Sequence, residues 1–196
     1  MLVEHRGKRP EVHPEAYVAP TAVLVGDVRV AAGARVLHLA VLSGEDGWVS
    51  VGEDSVVMEH ALIRGRQVHP AVLGAAVMVG PHAHVNGAVV DEGAFLATGA
   101  SLFPGSHIGA GAEVRIGAVV QVNTSILPSA VVPIGWVAVG TPAQILPPER
   151  HDDIWAAQRE LDFRGTVYGV GPETTMRELM RGQSAYYGSH AADEIL

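Results

Sequence analysis

Aliphatic residues return every six positions along most of this chain, and few folds tolerate that interval. The series runs Val18, Leu24, Val30, Val36 and Leu42, and resumes at Val51, Val57 and Ile63. It picks up again at Leu73, Val79 and Val85, then continues from Val90 through Leu96, Leu102, Ile108, Val114, Val120 and Ile126 to Val132. Two residues before most of these stands a small side chain, as at Ala22, Ala40, Ala61, Ala83, Ala100 and Thr124. A period of six fits neither a helix nor a long strand. It fits a short strand with two inward positions, one aliphatic and one small, followed by a corner. Three such strands close a triangular coil of about 18 residues, each coil hydrogen-bonded to the next at about 4.8 Å.

The beat is interrupted in three places. Leu42 to Val51 is three residues too long, Ile63 to Leu73 four too long, and Val85 to Val90 one short. Extra residues in a solenoid are expected as extruded loops that leave the coil register intact. The beat ends near residue 146, where Pro147 and Pro148 break the strand. Two domains follow from this: a β-helix over 1–146 and a helical tail over 147–196 packed on the prism. The tail reads as a helix over 149–163, with Ile154, Trp155, Leu161 and Phe163 on its apolar side, and a second over 173–181. Residues beyond about Gln183 read as frayed.

Composition narrows the function. Lys and Arg number 13 against 21 Asp and Glu, a net charge of −8, and only 17% of residues are charged. That balance argues against nucleic acid or an anionic membrane as a partner. The absence of cysteine excludes disulfides, thiolate metal ligands and a cysteine nucleophile. Neither a signal peptide nor an apolar run of membrane-spanning length is visible, so a cytoplasmic location is expected. Phosphate-binding loops and nucleotide fingerprints are missing as well.

Four stretches carry a resemblance: 20–28 (Pro-Thr-Ala-Val-Leu-Val-Gly-Asp-Val), the loop after Leu42, 79–87 (Val-Gly-Pro-His-Ala-His-Val-Asn-Gly) and Gly140-Thr141-Pro142-Ala143. With them the chain resembles the left-handed parallel β-helix of hexapeptide-repeat proteins, and specifically the γ-class carbonic anhydrase family. The resemblance implies an all-β, left-handed prism with a C-terminal α-helix, assembled as a homotrimer. It also implies a zinc ion in each cleft between subunits, held by three histidines, two from one chain and one from its neighbour. Zinc-bound hydroxide then attacks carbon dioxide.

Residue by residue, the family's ligand positions fall on Arg64, Pro81 and Asn86. Its Arg-Gly-Asp run reads Ser43-Gly44-Glu45, and its Gln-Asp pair reads Met58-Glu59. Proline offers no ligand atom, and a guanidinium is a permanent cation. The usual zinc site is therefore not expected here.

Three histidines lie close to the vacated positions. Strand alternation points His60, Leu62 and Arg64 outward on one coil and His82, His84 and Asn86 outward on the next. Counting the insertion, His60 stacks on His82, Leu62 on His84 and Arg64 on Asn86, with Ser43 beside Arg64 and Phe103 beyond Asn86. A rearranged site for zinc or a similar divalent metal would use His60, His82 and His84, with Glu59 orienting a ligand or shuttling a proton. The plainer reading has these histidines hydrogen-bonding across a subunit interface. Arg64 has two readings of its own. It holds an anion such as bicarbonate, helped by Asn86 and Ser43, or it pairs with Glu45, Asp46 or Glu59. Outward apolar Val41, Leu62 and Phe103 read as an interface with another copy.

Three functions stand side by side: a carbonic-anhydrase-like hydratase or lyase using Glu59, Arg64, Asn86 and the histidine metal site; a catalytically silent anion-binding or scaffold trimer; and an acyltransferase with one of those histidines as general base. His5, His13, His38, His69, His107, His151 and His190 read as surface residues.

Overall fold

The computed structural model describes residues 1–196 and forms the parallel β-helix that the beat implies. One inward column shows the register: Leu42 pairs with Ile63, Ile63 with Val85, Val85 with Leu102, Leu102 with Val120 and Val120 with Ala138. All of these are fully buried, within a continuous core of 34 residues built mainly from Val, Leu, Ile and Ala. Small residues beside aliphatic ones suit the narrow interior of the prism. The strands form two sheets, of 15 and 7 strands, almost wholly parallel.

The corners explain where the histidines sit. One corner column contains Leu39, His60, His82, Gly99, Gly117 and Gly135, every one with positive φ between 57° and 68°. His82 therefore lies on a turn, and the strand begins only at His84 (His84–Asn86). The expectation that His82 heads that strand is corrected accordingly. Glycine takes this left-handed conformation freely, whereas a residue with a Cβ is strained there by about 1–2 kcal/mol.

The first insertion is not an extruded loop. Val41–Val51 is one unbroken strand lying on Val23–Val30, with a register shift between Gly26 and Val28 that absorbs the added length. Gly47 bridges Gly65 so closely that a Cβ on Gly47 would fall 2.0 Å from the Arg66 carbonyl oxygen. The second insertion does turn outward, closed by an Arg66–His69 bridge with Gln67 and Val68 exposed at its tip.

The tail contains α1 (His151–Arg159), α2 (Phe163–Tyr168) and α3 (Met176–Tyr187). Ile154 of α1 packs on Val139 and Leu146, closing the last coil. Asp162 caps α2 by accepting from the Gly165 amide, and α3 opens with a reciprocal Thr175–Glu178 capping box. Residues beyond 183 are ordered, contrary to the sequence expectation. The chain continues through a 3-10 turn (Gly188–Ala192), and Glu194–Ile195 then pairs antiparallel with Leu2–Glu4. That pairing is non-local, so no local pattern announces it. No helix is long and apolar enough to cross a membrane.

Candidate functional site

The outward face bearing Val41, Leu62 and Phe103 is partly covered by the chain's own tail. Phe103 packs on Phe163, with ring centroids 5.8 Å apart, and His84 meets the edge of Phe103 at 6.0 Å. Between the prism and α3 lies a cavity of about 640 Å³. Its floor is Arg64, His84, Asn86 and Phe103, and its far wall is Phe163, Val167, Tyr168, Met180 and Tyr187. The strand register places Arg64 directly beside Asn86, and Ser43 on the other side of Arg64, as the count from the sequence requires.

Arg64 makes no salt bridge, which corrects the expected ion pair. Asp46 faces Arg66 at 3.8 Å, and Glu45 is taken by Ser43 and His190. The guanidinium instead donates from Nη1 to the Tyr187 hydroxyl at 3.2 Å and stands 5.9 Å from that ring's centre. Its Nε is buried with no partner, and so is Oδ1 of Asn86, a residue only 8% exposed. A buried donor and a buried acceptor on adjacent strands, beside an uncompensated positive charge, are costly to leave unmet. His84 lies on the same floor, its pKa lowered first by burial and then by Arg64. It therefore presents a neutral ring at pH 7. Ser43 does not face an anion, because its hydroxyl donates to Glu45 at 2.7 Å.

The histidines divide. His60 and His82 stack at the corner, centroids 4.8 Å apart and planes 9° from parallel, both exposed. His84 faces the cavity. Within one chain the three do not bring their nitrogens within 4.8 Å of one another, a condition that only His5, His190 and Asp193 meet. The Glu59 side chain is half-buried and forms no ion pair, while its carbonyl accepts from the His82 amide at 3.1 Å. The three positions that the resemblance assigns to metal ligands, Arg64, Pro81 and Asn86, do not fit a metal. They offer a cation, a ring with no lone pair and an amide.

Two residues read as surface histidines prove otherwise. His5 is 2% exposed and bonds to Asp193, and His190 bridges Asp193 and Glu45. His190 and Asp193 are three residues apart, but their contacts to Glu45 and His5 span 145 and 188 positions, which no spacing signal could have found.

No family model matches the chain. Over 95 residues it is 34% identical to a protein named gamma carbonic anhydrase 1, mitochondrial, of Arabidopsis thaliana, covering 45% of this chain and 34% of that protein. Over 102 residues it is 37% identical to the carnitine operon protein CaiE of Citrobacter koseri, covering 43% and 50%. The chain is a hexapeptide-repeat β-helix similar to the γ-class carbonic anhydrases. This hexapeptide-repeat chain spans between a third and a half of the length of those relatives. A Bacillus cereus structure described as an acetyltransferase superposes with a TM-score of 0.64 over 94% of the β-helix chain and 95% of its own, at 20% identity. A hexapeptide transferase family protein of Anaplasma phagocytophilum gives 0.53 over 97% and 95%, at 19% identity. At such identities these matches bear on the fold alone.

Proposed function

We propose that this chain forms a γ-carbonic-anhydrase-like homotrimer in which the cleft that has lost its metal ligands binds a small carboxylate or bicarbonate. The observation that carries this reading is Arg64, a cavity-facing guanidinium with no acidic partner, whose Nε is unpartnered and whose strand neighbour Asn86 carries an unpartnered Oδ1. An anion takes charge-assisted hydrogen bonds from Arg64, and Asn86 accepts from a hydroxyl or N–H on the same ligand. Bicarbonate and hydroxy acids carry both groups. Tyr187 reaches over the guanidinium from α3, and its hydroxyl accepts from Nη1.

Calorimetry with bicarbonate, acetate, lactate and benzoate tests this. Arg64→Met is expected to weaken the best ligand by at least about tenfold, with sedimentation still reporting a trimer. Equal affinity in wild type and Arg64→Met, or no binding by any of the four, overturns the reading.

The His60–His82 stack supports a second reading, a rearranged metal-dependent hydratase or lyase with His60, His82 and His84 as ligands and Glu59 beside them. One chain brings two of these ligands together, so a neighbouring chain must supply the remainder. Stopped-flow hydration of carbon dioxide by metal-supplemented protein, lost in a His60→Ala, His82→Ala variant, is its expected signature. Acyltransferase activity has the fold alone behind it, and an absence of acyl-CoA binding in the same calorimeter would exclude it.

A further inference from the structure

We propose that His5, His190 and Asp193 form a divalent metal site of the zinc type, clasping the two ends of the chain. His5 follows the strand Leu2–Glu4 directly, while His190 lies in the 3-10 turn after α3 and Asp193 caps its end. The Asp193 carboxylate gives one oxygen to each imidazole, at 2.6 Å from Nδ1 of His5 and 2.7 Å from Nδ1 of His190. The two ring centroids are 4.8 Å apart, and one ligand atom from each of the three residues lies within 4.8 Å of the others. Two imidazoles and a carboxylate are a donor set suited to zinc and neighbouring first-row ions, and less so to calcium or magnesium.

What surrounds the three residues is a second and independent pointer. Nε2 of His190 faces Oε2 of Glu45 at 2.9 Å, and the other Glu45 oxygen accepts from the Ser43 hydroxyl at 2.7 Å. An imidazole that ligates metal through one nitrogen usually donates its other N–H to a carboxylate that is itself held in place. Glu45 occupies that position, already oriented.

The charges facing the three residues suit a cation, because the Asp193 and Glu45 carboxylates both address His190, one on each ring nitrogen. The clasp also reaches the cavity, because Tyr187, which covers Arg64, stacks on His190 at 6.2 Å with planes 11° apart.

The test uses the untagged chain, stripped with chelator and titrated with zinc chloride by calorimetry. The expected result is uptake of zinc at the clasp, weakened by at least about tenfold in Glu45→Gln and abolished in Asp193→Asn and His190→Ala. Circular dichroism and sedimentation confirm that each variant is folded; Asp193→Asn keeps the shape of the side chain it replaces. His60→Ala, His82→Ala is expected to leave clasp binding intact, even if it removes a second ion from the corner. No zinc uptake at micromolar concentration by the stripped wild type overturns the proposal. So does uptake undiminished in both clasp variants, or uptake that disappears only with His60 and His82. None of these results depends on whether Arg64 binds an anion.

Discussion

Thirty-four buried side chains run through the prism as one core, whereas the three tail helices bury one residue each, Ile154, Val167 and Leu179. The prism repeats the same contact coil after coil, so its stability is spread over many equivalent rungs. The tail is fastened at separate points. Asn123 donates to the Leu161 carbonyl and the Thr166 hydroxyl, Arg66 donates to the Val167 carbonyl, and His5 and Glu45 hold the terminal turn through Asp193 and His190. Both the Arg64 cavity and the histidine clasp lie where these two kinds of construction meet. The repeat supplies a rigid floor, and the individually tied tail supplies the wall that can move.

Three perturbations would break or sharpen this contrast. The largest effect is expected from Ile63→Ala, a fully buried rung in mid-prism. Chemical denaturation should show a loss of about 2–5 kcal/mol, with the whole β-helix unfolding as one unit. An unchanged midpoint would mean that the rungs do not share their stability.

Leu179→Ala comes next, removing the single buried residue of α3. Undocking of the tail by about 2 kcal/mol is expected, read as faster proteolysis beyond residue 170 while the prism stays resistant. Loss of the prism at the same protease concentration would show that the tail is part of the main core.

The smallest effect is silent at neutral pH. Tyr186 of α3 is half-buried, with its pKa pushed up to about 12 by burial and by Asp46 and Glu45. A pKa raised on folding contributes stability in full below the unfolded value near 10, and that stability is lost as pH rises through 12. Ultraviolet titration should therefore show one of the 4 tyrosines ionising late, together with release of the tail. Four tyrosines titrating together near pH 10 would contradict it.

The same contrast decides what could be read from the sequence. Val85, Leu102 and Val120 belong to a short-range pattern repeated many times, so the prism, its register and the adjacency of Arg64 and Asn86 follow from counting. Counting also gives the stack of His60 on His82. It does not reveal that both occupy left-handed corners, because three later coils place glycine there and two histidines hide the rule. Arg64 looks like one half of an ion pair until the partners of Glu45 and Asp46 are known. His5 and Asp193, separated by 188 positions, meet only because the chain's last strand returns to its first. Neither has a neighbour in sequence to betray the meeting.

The cavity's divided ownership has a practical corollary. A molecule that touches Arg64 below and α3 above binds only when the tail is down, so its occupancy adds to the free energy that keeps the tail there. At a hundredfold excess over Kd the gain is about 2.7 kcal/mol, enough to suppress nicking of the last helix roughly a hundredfold. Protease resistance of that helix thus becomes a gauge of the chamber beneath it, readable on a gel with unlabelled compounds and no prior assay.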